Sequence, residues 1–287
     1  MFRGHSQRFR AHVKTHEAII DNEYWYEDGP PFLAAQFTAK KTAERQADVI
    51  DILLRAANRA DSTGDRELAK RYGLLSDKLE GCRRHRRCGS MACPKCARAT
   101  QRAKVDAEQR FIDSQELRNS GKYLVLLSLI PEAMTYEPGE LHSIDIINAN
   151  RWLKDTLDGL SIKRTTFGCP DFGWENRRGG NYFQLHWHLA AWTRHPARLK
   201  AQLKRGFCRA RKYERPVDVE VTYDHDFLPY MNKVVKLPDL LRRACRQLPE
   251  LLLTLDRFDP LDFMVLRGLR LSAQGRRIKL SRIRKAK

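Results

Sequence analysis

In Gln184-Leu185-His186-Trp187-His188-Leu189-Ala190-Ala191-Trp192, apolar side chains occupy every second position around two histidines. Alternation of this kind marks a β-strand, which points residues i and i+2 to the same face. His186 and His188 therefore stand side by side, about 7 Å apart along the strand. Leu185, Trp187, Leu189 and Ala191 face the other way, into whatever covers the back of the sheet. Two imidazoles with an apolar reverse are a suitable holder for one divalent cation. The plainer alternative is a pair of core histidines hydrogen-bonded within a sheet.

Around this strand the chain alternates between the two periodicities. Upstream, Lys122 to Leu129 is predicted to be a buried central strand, Pro131 to Gly139 a loop, and His142 to Leu157 an amphipathic helix. Two short strands, 162–169 and 172–176, lead to a turn at Arg177-Arg178-Gly179-Gly180 and so into the histidine strand. Downstream, Ala197 to Lys212 is a basic helix whose charges suit a solvated face that also meets phosphates. Val217 to Thr222 alternates as a strand, and a helix opens near Phe227 or Leu228. This order predicts an α+β fold, an antiparallel sheet with helices packed on one face.

The ends of the chain are different in kind. Residues 1–80 are predicted as an N-terminal helical segment, with helices over Phe32–Ala60 and Gly64–Leu79; Val49, Ile52, Leu53 and Ala56 line one side of the first. Residues 238–287 are predicted as a helical, basic extension. From Arg267 onward it carries nine Lys or Arg and no acid, so Arg276 and Arg277 become candidate DNA contacts.

Between the first helices and the sheet, residues 81–104 hold Cys82, Cys88, Cys93 and Cys96 in a C-x5-C-x4-C-x2-C pattern. A Cys-Pro-x-Cys pair forms one half of a zinc knuckle, and tetrahedral Zn²⁺ needs two more soft or imidazole ligands. Cys82 and Cys88 are nearest, with His85 able to replace Cys82. Such a zinc would be structural, since four protein ligands leave no open position. Eight Lys or Arg lie from Arg83 to Lys104, and Arg83, Arg84, Arg86 and Arg87 are placed to touch phosphates. Cys169, Cys208 and Cys245 read as plain thiols, and Trp152, Trp174 and Trp192 as packing residues.

Composition narrows the class. The chain has 287 residues, 54 Lys and Arg against 35 Asp and Glu, and a formal charge of +19. Basicity on this scale points to nucleic acid before an anionic membrane. The longest apolar runs are too short to span a bilayer, and Met1-Phe2-Arg3-Gly4-His5-Ser6 has no apolar export core. The expectation is a cytoplasmic protein with no membrane partner, and cysteines that are free or metal-bound.

After the last predicted strand come Asp224-His225-Asp226-Phe227-Leu228-Pro229-Tyr230-Met231-Asn232-Lys233. On a helix Tyr230 and Lys233 share a face, with Asp226 one turn earlier. Pro229 is tolerated only in a first turn, which puts Tyr230 near the helix start. Asp226 serves equally well as an N-cap. Tyr223, the competing phenol, ends a strand and has no Lys three residues on.

His-Trp-His on a strand, then Tyr-x-x-Lys on a helix, resembles the HUH endonucleases, in particular rolling-circle replication initiators of plasmids and phages. The Cys-Pro-x-Cys knuckle and an acid four residues before the tyrosine also match the plasmid branch. Leu124 to Leu129 sits where the family has its first motif, though it ends Leu127-Ser128-Leu129 where a threonine-rich version is usual. The resemblance covers about residues 82–237, with residues 120–237 as the catalytic domain of HUH, ferredoxin-like type. It implies an enzyme that nicks and joins single-stranded or hairpin origin DNA through a 5′-phosphotyrosine, with a host helicase and polymerase as further partners. Tyr230 would be the nucleophile and Lys233 the stabiliser of developing charge. Asp226 would activate the closing nucleophile, and Mg²⁺ or Mn²⁺ would be held by His186 and His188. Glu175 and His225 are the candidates for a third ligand. A single-strand transposase or relaxase shares this chemistry, and a non-catalytic zinc-containing DNA-binding regulator would explain the charge and cysteines alone.

Overall fold

The computed structural model describes residues 39–83, 86–162, 165–177, 180–207, 216–233, 246–271 and 278–280. Residues 1–38, His85, Arg84, Arg276, Arg277, Cys208, Cys245, the Arg178-Gly179 turn and residues 238–245 of the predicted helical extension lie outside the described residues.

Two helices open the described chain. In α1 (Ala39–Ser62), Val49, Leu53, Ala56 and Ala60 recur every three or four residues and are buried. They meet Tyr72, Leu75 and Leu79 of α2 (Arg66–Glu80). Asp65 caps α2 by accepting from Leu68 N at 3.0 Å, satisfying one of the orphan donors of the first turn. A long third helix, α3 (Pro94–Gln115), starts with Pro at its first position, where the missing N–H has no helical partner to lose.

The sheet follows. Strands β1 (Tyr123–Leu129), β2 (Thr135–Tyr136), β3 (Thr166–Arg177), β4 (Gly180–Thr193) and β5 (Val217–Thr222) alternate with helices α4 (Ile146–Gly159), α5 (Pro196–Gly206) and α6 (Phe227–Met231). After α7 (Leu248–Asp256), β6 (Val265–Arg267) returns to the sheet. The order is β5-β1-β4-β3-β6, with β2 pairing the other end of β4, and every strand pair among the described residues is antiparallel. The fold is therefore α+β, as the alternation of periods predicts.

Three expectations need correction. First, helices cover both faces. Trp187 stacks on Trp152 of α4 and donates from Nε1 to Asn150 Oδ1 at 2.8 Å. On the opposite face, Ala190 and Phe167 pack with Phe111 of α3 and with Phe227, Leu228 and Met231 of α6. The cause is visible in β4: the face that carries the histidines turns apolar at Ala190 and Trp192, and that half needs a cover. Second, β3 is one strand of 12 residues running through Pro170. Proline lacks the N–H a ladder needs. Here β6 pairs β3 only at 166–168, so among the described residues no strand pairs the outer edge of β3 at Pro170. Third, the described part of the basic extension is not only helical. Val265–Arg267 joins the sheet, and β7 (Leu269–Leu271) pairs β8 (Ile278–Leu280). Strands of three residues are too short to leave a period in the sequence. The loop at 131–139 likewise contains β2, paired to Gln184 and Phe183.

No helix among the described residues is long and apolar enough to cross a membrane.

Candidate functional site

Cross-strand pairing assembles the site. In the β3–β4 ladder Asp171 is directly opposite His186, and Cys169 opposite His188. In the β1–β4 ladder Ser128 is opposite His188. Directly opposed residues share a face, so one surface of the sheet carries Asp171, His186, His188 and Ser128 together. Ligand atoms of Asp171, His186 and His188 all lie within 4.8 Å of one another. Asp171 Oδ2 is 3.5 Å from His186 Nε2 and 3.9 Å from His188 Nε2.

The three differ in access. The Asp171 and His188 side chains are 2% and 3% exposed, and that of His186 14%, so the cluster opens through His186. Ser128 Oγ, 3.0 Å from His188 Nδ1, fixes that ring, leaving Nε2 turned toward Asp171. Close approach of the backbones is part of the construction. A Cβ at Gly168, whose φ is +150°, would fall 2.1 Å from the His188 carbonyl oxygen.

Burial on its own would raise the pKa of Asp171. The His186 imidazole, then the charges of Lys233 and His188, outweigh it and hold the carboxyl below its usual range. Two imidazoles and an ionised carboxylate are a donor set that suits a divalent ion and leaves further positions for other ligands. The set can hold a metal.

The phenol reaches the same place. The rings of Tyr230 and His188 are 4.7 Å apart between centroids. Lys233 Nζ lies 3.3 Å from the Tyr230 ring centroid and 3.6 Å from Asp171 Oδ2. Tyr230 is 42% exposed, accessible to a partner from solvent. Its pKa is raised, by partial burial first and then by the negative charges of Asp171 and Glu220. Tyr223, 91% exposed, is not among these contacts.

Helix α3 ties the tyrosine helix to the sheet. Gln101 Nε2 donates to Pro229 O at 2.9 Å, and Asn232 Nδ2 donates to Glu108 Oε2 and to Leu228 O. The Cys169 thiol donates to Asn232 Oδ1 at 3.0 Å, and Lys104 Nζ reaches Cys169 Sγ at 3.5 Å and Phe263 O at 2.9 Å. Burial pushes the Cys169 thiol up to about 12, so it stays protonated and able to donate. Glu108 is pushed up to about 8 by burial, against the hydrogen bond from Asn232 and the charge of Lys104.

The second metal candidate is the cysteine cluster. All four sulfurs of Cys82, Cys88, Cys93 and Cys96 lie within 4.8 Å, with Cys82–Cys96 at 3.7 Å and Cys88–Cys96 at 3.6 Å. A tetrahedron with Zn–S bonds of about 2.3 Å has edges of about 3.8 Å, so the spacing fits zinc. Cys82 follows the end of α2, Gly89 turns the chain at φ +71°, Cys93 is the N-cap of α3 and Cys96 sits in its first turn. Hydrogen bonding among the sulfurs lowers Cys82 below the thiol range and raises Cys93 and Cys96 above it.

The remaining sequence candidates fall elsewhere. Asp171 takes the third position near the histidines, in place of Glu175 and His225. Glu175 pairs with Tyr182, four residues along β3 from Asp171, about 13 Å away at strand rise. His225 Nε2 is 3.3 Å from Asp113 Oδ1. Asp226 is exposed at the head of α6 and makes no capping hydrogen bond. Arg83 and Arg86 are exposed and bridge each other through their backbones, while Arg87 is half-buried.

No protein-family model, curated protein or solved structure matches the chain.

Proposed function

We propose that this chain is a divalent-metal-dependent enzyme that cuts and rejoins single-stranded DNA through Tyr230, acting at a replication origin in the manner of rolling-circle initiators. The observation that carries the reading is the meeting of Tyr230 and Lys233 with Asp171, His186 and His188 on one face of the sheet. A core tyrosine or a structural histidine pair gives no reason for a half-exposed phenol, a lysine and three ligand groups to converge.

Asp171, His186 and His188 are the residues that would hold Mg²⁺ or Mn²⁺. When bound there, such an ion supplies charge for a non-bridging phosphate oxygen and orients the phosphorus for in-line attack. The protein's own groups do the rest. Tyr230 Oη forms a bond to phosphorus while the P–O3′ bond breaks, and the phenol loses its proton as the departing 3′ oxygen gains one. A phenol near pKa 10 is only about one part in a thousand ionised at neutral pH, and Tyr230 is shifted further up. Lys233, against the ring face, opposes that shift in the attacking state. The phosphotyrosine keeps the energy of the phosphodiester, and the free 3′-OH can prime synthesis. Ser128 keeps His188 in one orientation, the usual task of a group behind a metal ligand. The basic surface and the cysteine segment serve DNA contact and support.

A test uses single-stranded DNA carrying a hairpin origin, incubated with protein and Mn²⁺ and run on a denaturing gel. The expected product is a covalent protein–DNA adduct, absent with Tyr230→Phe and with EDTA. An adduct that persists in Tyr230→Phe moves the nucleophile elsewhere. DNA binding with no adduct under any metal condition returns the chain to a zinc-containing DNA-binding regulator.

A further inference from the structure

A cleft of about 450 Å³ opens between α2, the 138–142 turn and the start of α7, and shares no lining residue with the His186–Tyr230 site. Its buried and half-buried lining brings the apolar side chains of Leu68, Tyr72 and Leu253 together with Gln247, Glu250 and Thr254. Its exposed lining includes Arg71, Arg246, Arg257 and His142.

Glu250, the one carboxylate among the described lining residues, is committed to the wall. Its Oε2 accepts from Gly139 N and its Oε1 from Leu141 N, both at 2.8 Å. Among the described lining residues, three arginines therefore stand against one anion whose oxygens already hold backbone donors. The walls are tied together before any ligand arrives. Arg257 Nη1 donates to His142 O at 2.6 Å, Thr254 Oγ1 to Leu141 O at 3.3 Å, and Lys78 pairs with Asp256 at 2.6 Å.

We propose that this cleft binds a nucleoside phosphate, its ring against Leu68, Tyr72 and Leu253 and its phosphate among Arg71, Arg246 and Arg257. The volume falls within the ~300–1,000 Å³ of small-ligand sites, which pair an apolar lining with a few placed polar groups. Guanidinium forks match phosphate oxygens two at a time, and an aromatic and aliphatic wall accepts the face of any base. A bare inorganic anion would leave the apolar part unused. Free nucleotide and one unstacked nucleotide of a single strand offer the same chemistry, and neither requires Tyr230 or the histidines.

The experiment titrates ATP, inorganic triphosphate and a single-stranded oligonucleotide into the full chain, its Arg71→Gln and Arg257→Gln variants, and Tyr230→Phe. For at least one of the two nucleotide ligands, each arginine variant should bind about tenfold more weakly or worse, with its thermal midpoint unchanged. Arg71, on the surface of α2, carries the test should Arg257→Gln disturb the wall. Weakening of ATP assigns the site to free nucleotide, and weakening of the oligonucleotide alone assigns it to a strand. Tyr230→Phe should bind ATP like wild type, so a failure of the nicking proposal leaves this one standing. The cleft proposal is overturned if neither nucleotide ligand responds to either arginine, or if triphosphate binds as tightly as ATP.

Discussion

Asp171 and His186 are direct partners across the β3–β4 ladder, and Asp171 Oδ2 stands 3.5 Å from His186 Nε2 with Lys233 Nζ 3.6 Å from the same oxygen. One carboxylate thus serves the imidazoles and the lysine at once. Replacing it leaves three groups that prefer an anion facing a vacant acceptor. Asp171→Asn should lose Mn²⁺ affinity by at least about tenfold, and should destabilise the fold by roughly 3 kcal/mol where breaking a buried pair strands its partner. Calorimetric Mn²⁺ titration and urea unfolding measure the two effects. Wild-type Mn²⁺ affinity in Asp171→Asn would remove the carboxylate from the metal site.

Lys233 touches both the carboxylate and the ring of Tyr230, so its removal separates charge stabilisation from metal binding. Lys233→Met keeps the length of the side chain and removes the charge. On the proposed function, the strand-cutting rate should fall by about 10²-fold or more, as for other groups aimed at developing charge, while Mn²⁺ binding persists. The readout is the single-turnover rate at saturating Mn²⁺. An unchanged rate assigns Lys233 to packing on the ring alone.

Much of this arrangement is legible in the sequence, and the part that is not has a definite cause. Alternation across 184–192 gives the strand, its two faces and the neighbouring histidines. The Cys-Pro-x-Cys pair and its two upstream cysteines give the knuckle. Asp171 escapes because Pro170 divides β3 into two apparent strands. Yet pairing Arg177 with Gly180 fixes a constant residue sum across the hairpin, and the same sum places 171 against 186. Ser128, which reads as a departure from a threonine-rich motif, lies opposite His188 and contacts its ring. Lys104, Glu108 and Asn232 carry no signal, because long-range burial makes a helix lysine and glutamate into core groups, and periodicity registers only apolar spacing.

Helix α3 is N-capped by Cys93 and carries Gln101, Lys104 and Glu108 to the tyrosine helix and the sheet. A metal at the cysteines would therefore fix the start of the element that positions Tyr230. Elemental analysis should find about one zinc per chain, consistent with a four-cysteine site. Cys93→Ser should lower the thermal midpoint and slow strand cutting, with no loss of Mn²⁺ binding at Asp171, His186 and His188. A zinc-free native protein, with Cys93→Ser melting like wild type, would reduce the cluster to packed thiols.

Glu108 should give stability an inverted pH dependence. Its folded pKa is raised to about 8, against about 4.3 in an unfolded chain. Between those values the folded state holds one proton more than the unfolded state, so stability from this group falls as pH rises. The slope is at most about 1.4 kcal/mol per pH unit, and it vanishes once the folded carboxyl ionises. Glu108→Gln keeps an oxygen for Asn232 Nδ2 and cannot titrate. Urea unfolding of the two proteins should therefore give similar stabilities near pH 4 and a growing advantage for Glu108→Gln toward pH 8. Contributions from other titrating groups cancel in the difference between the proteins. A difference that stays constant with pH would mean that Glu108 is already ionised in the folded protein, and that Lys104 and Asn232 carry its charge at neutral pH.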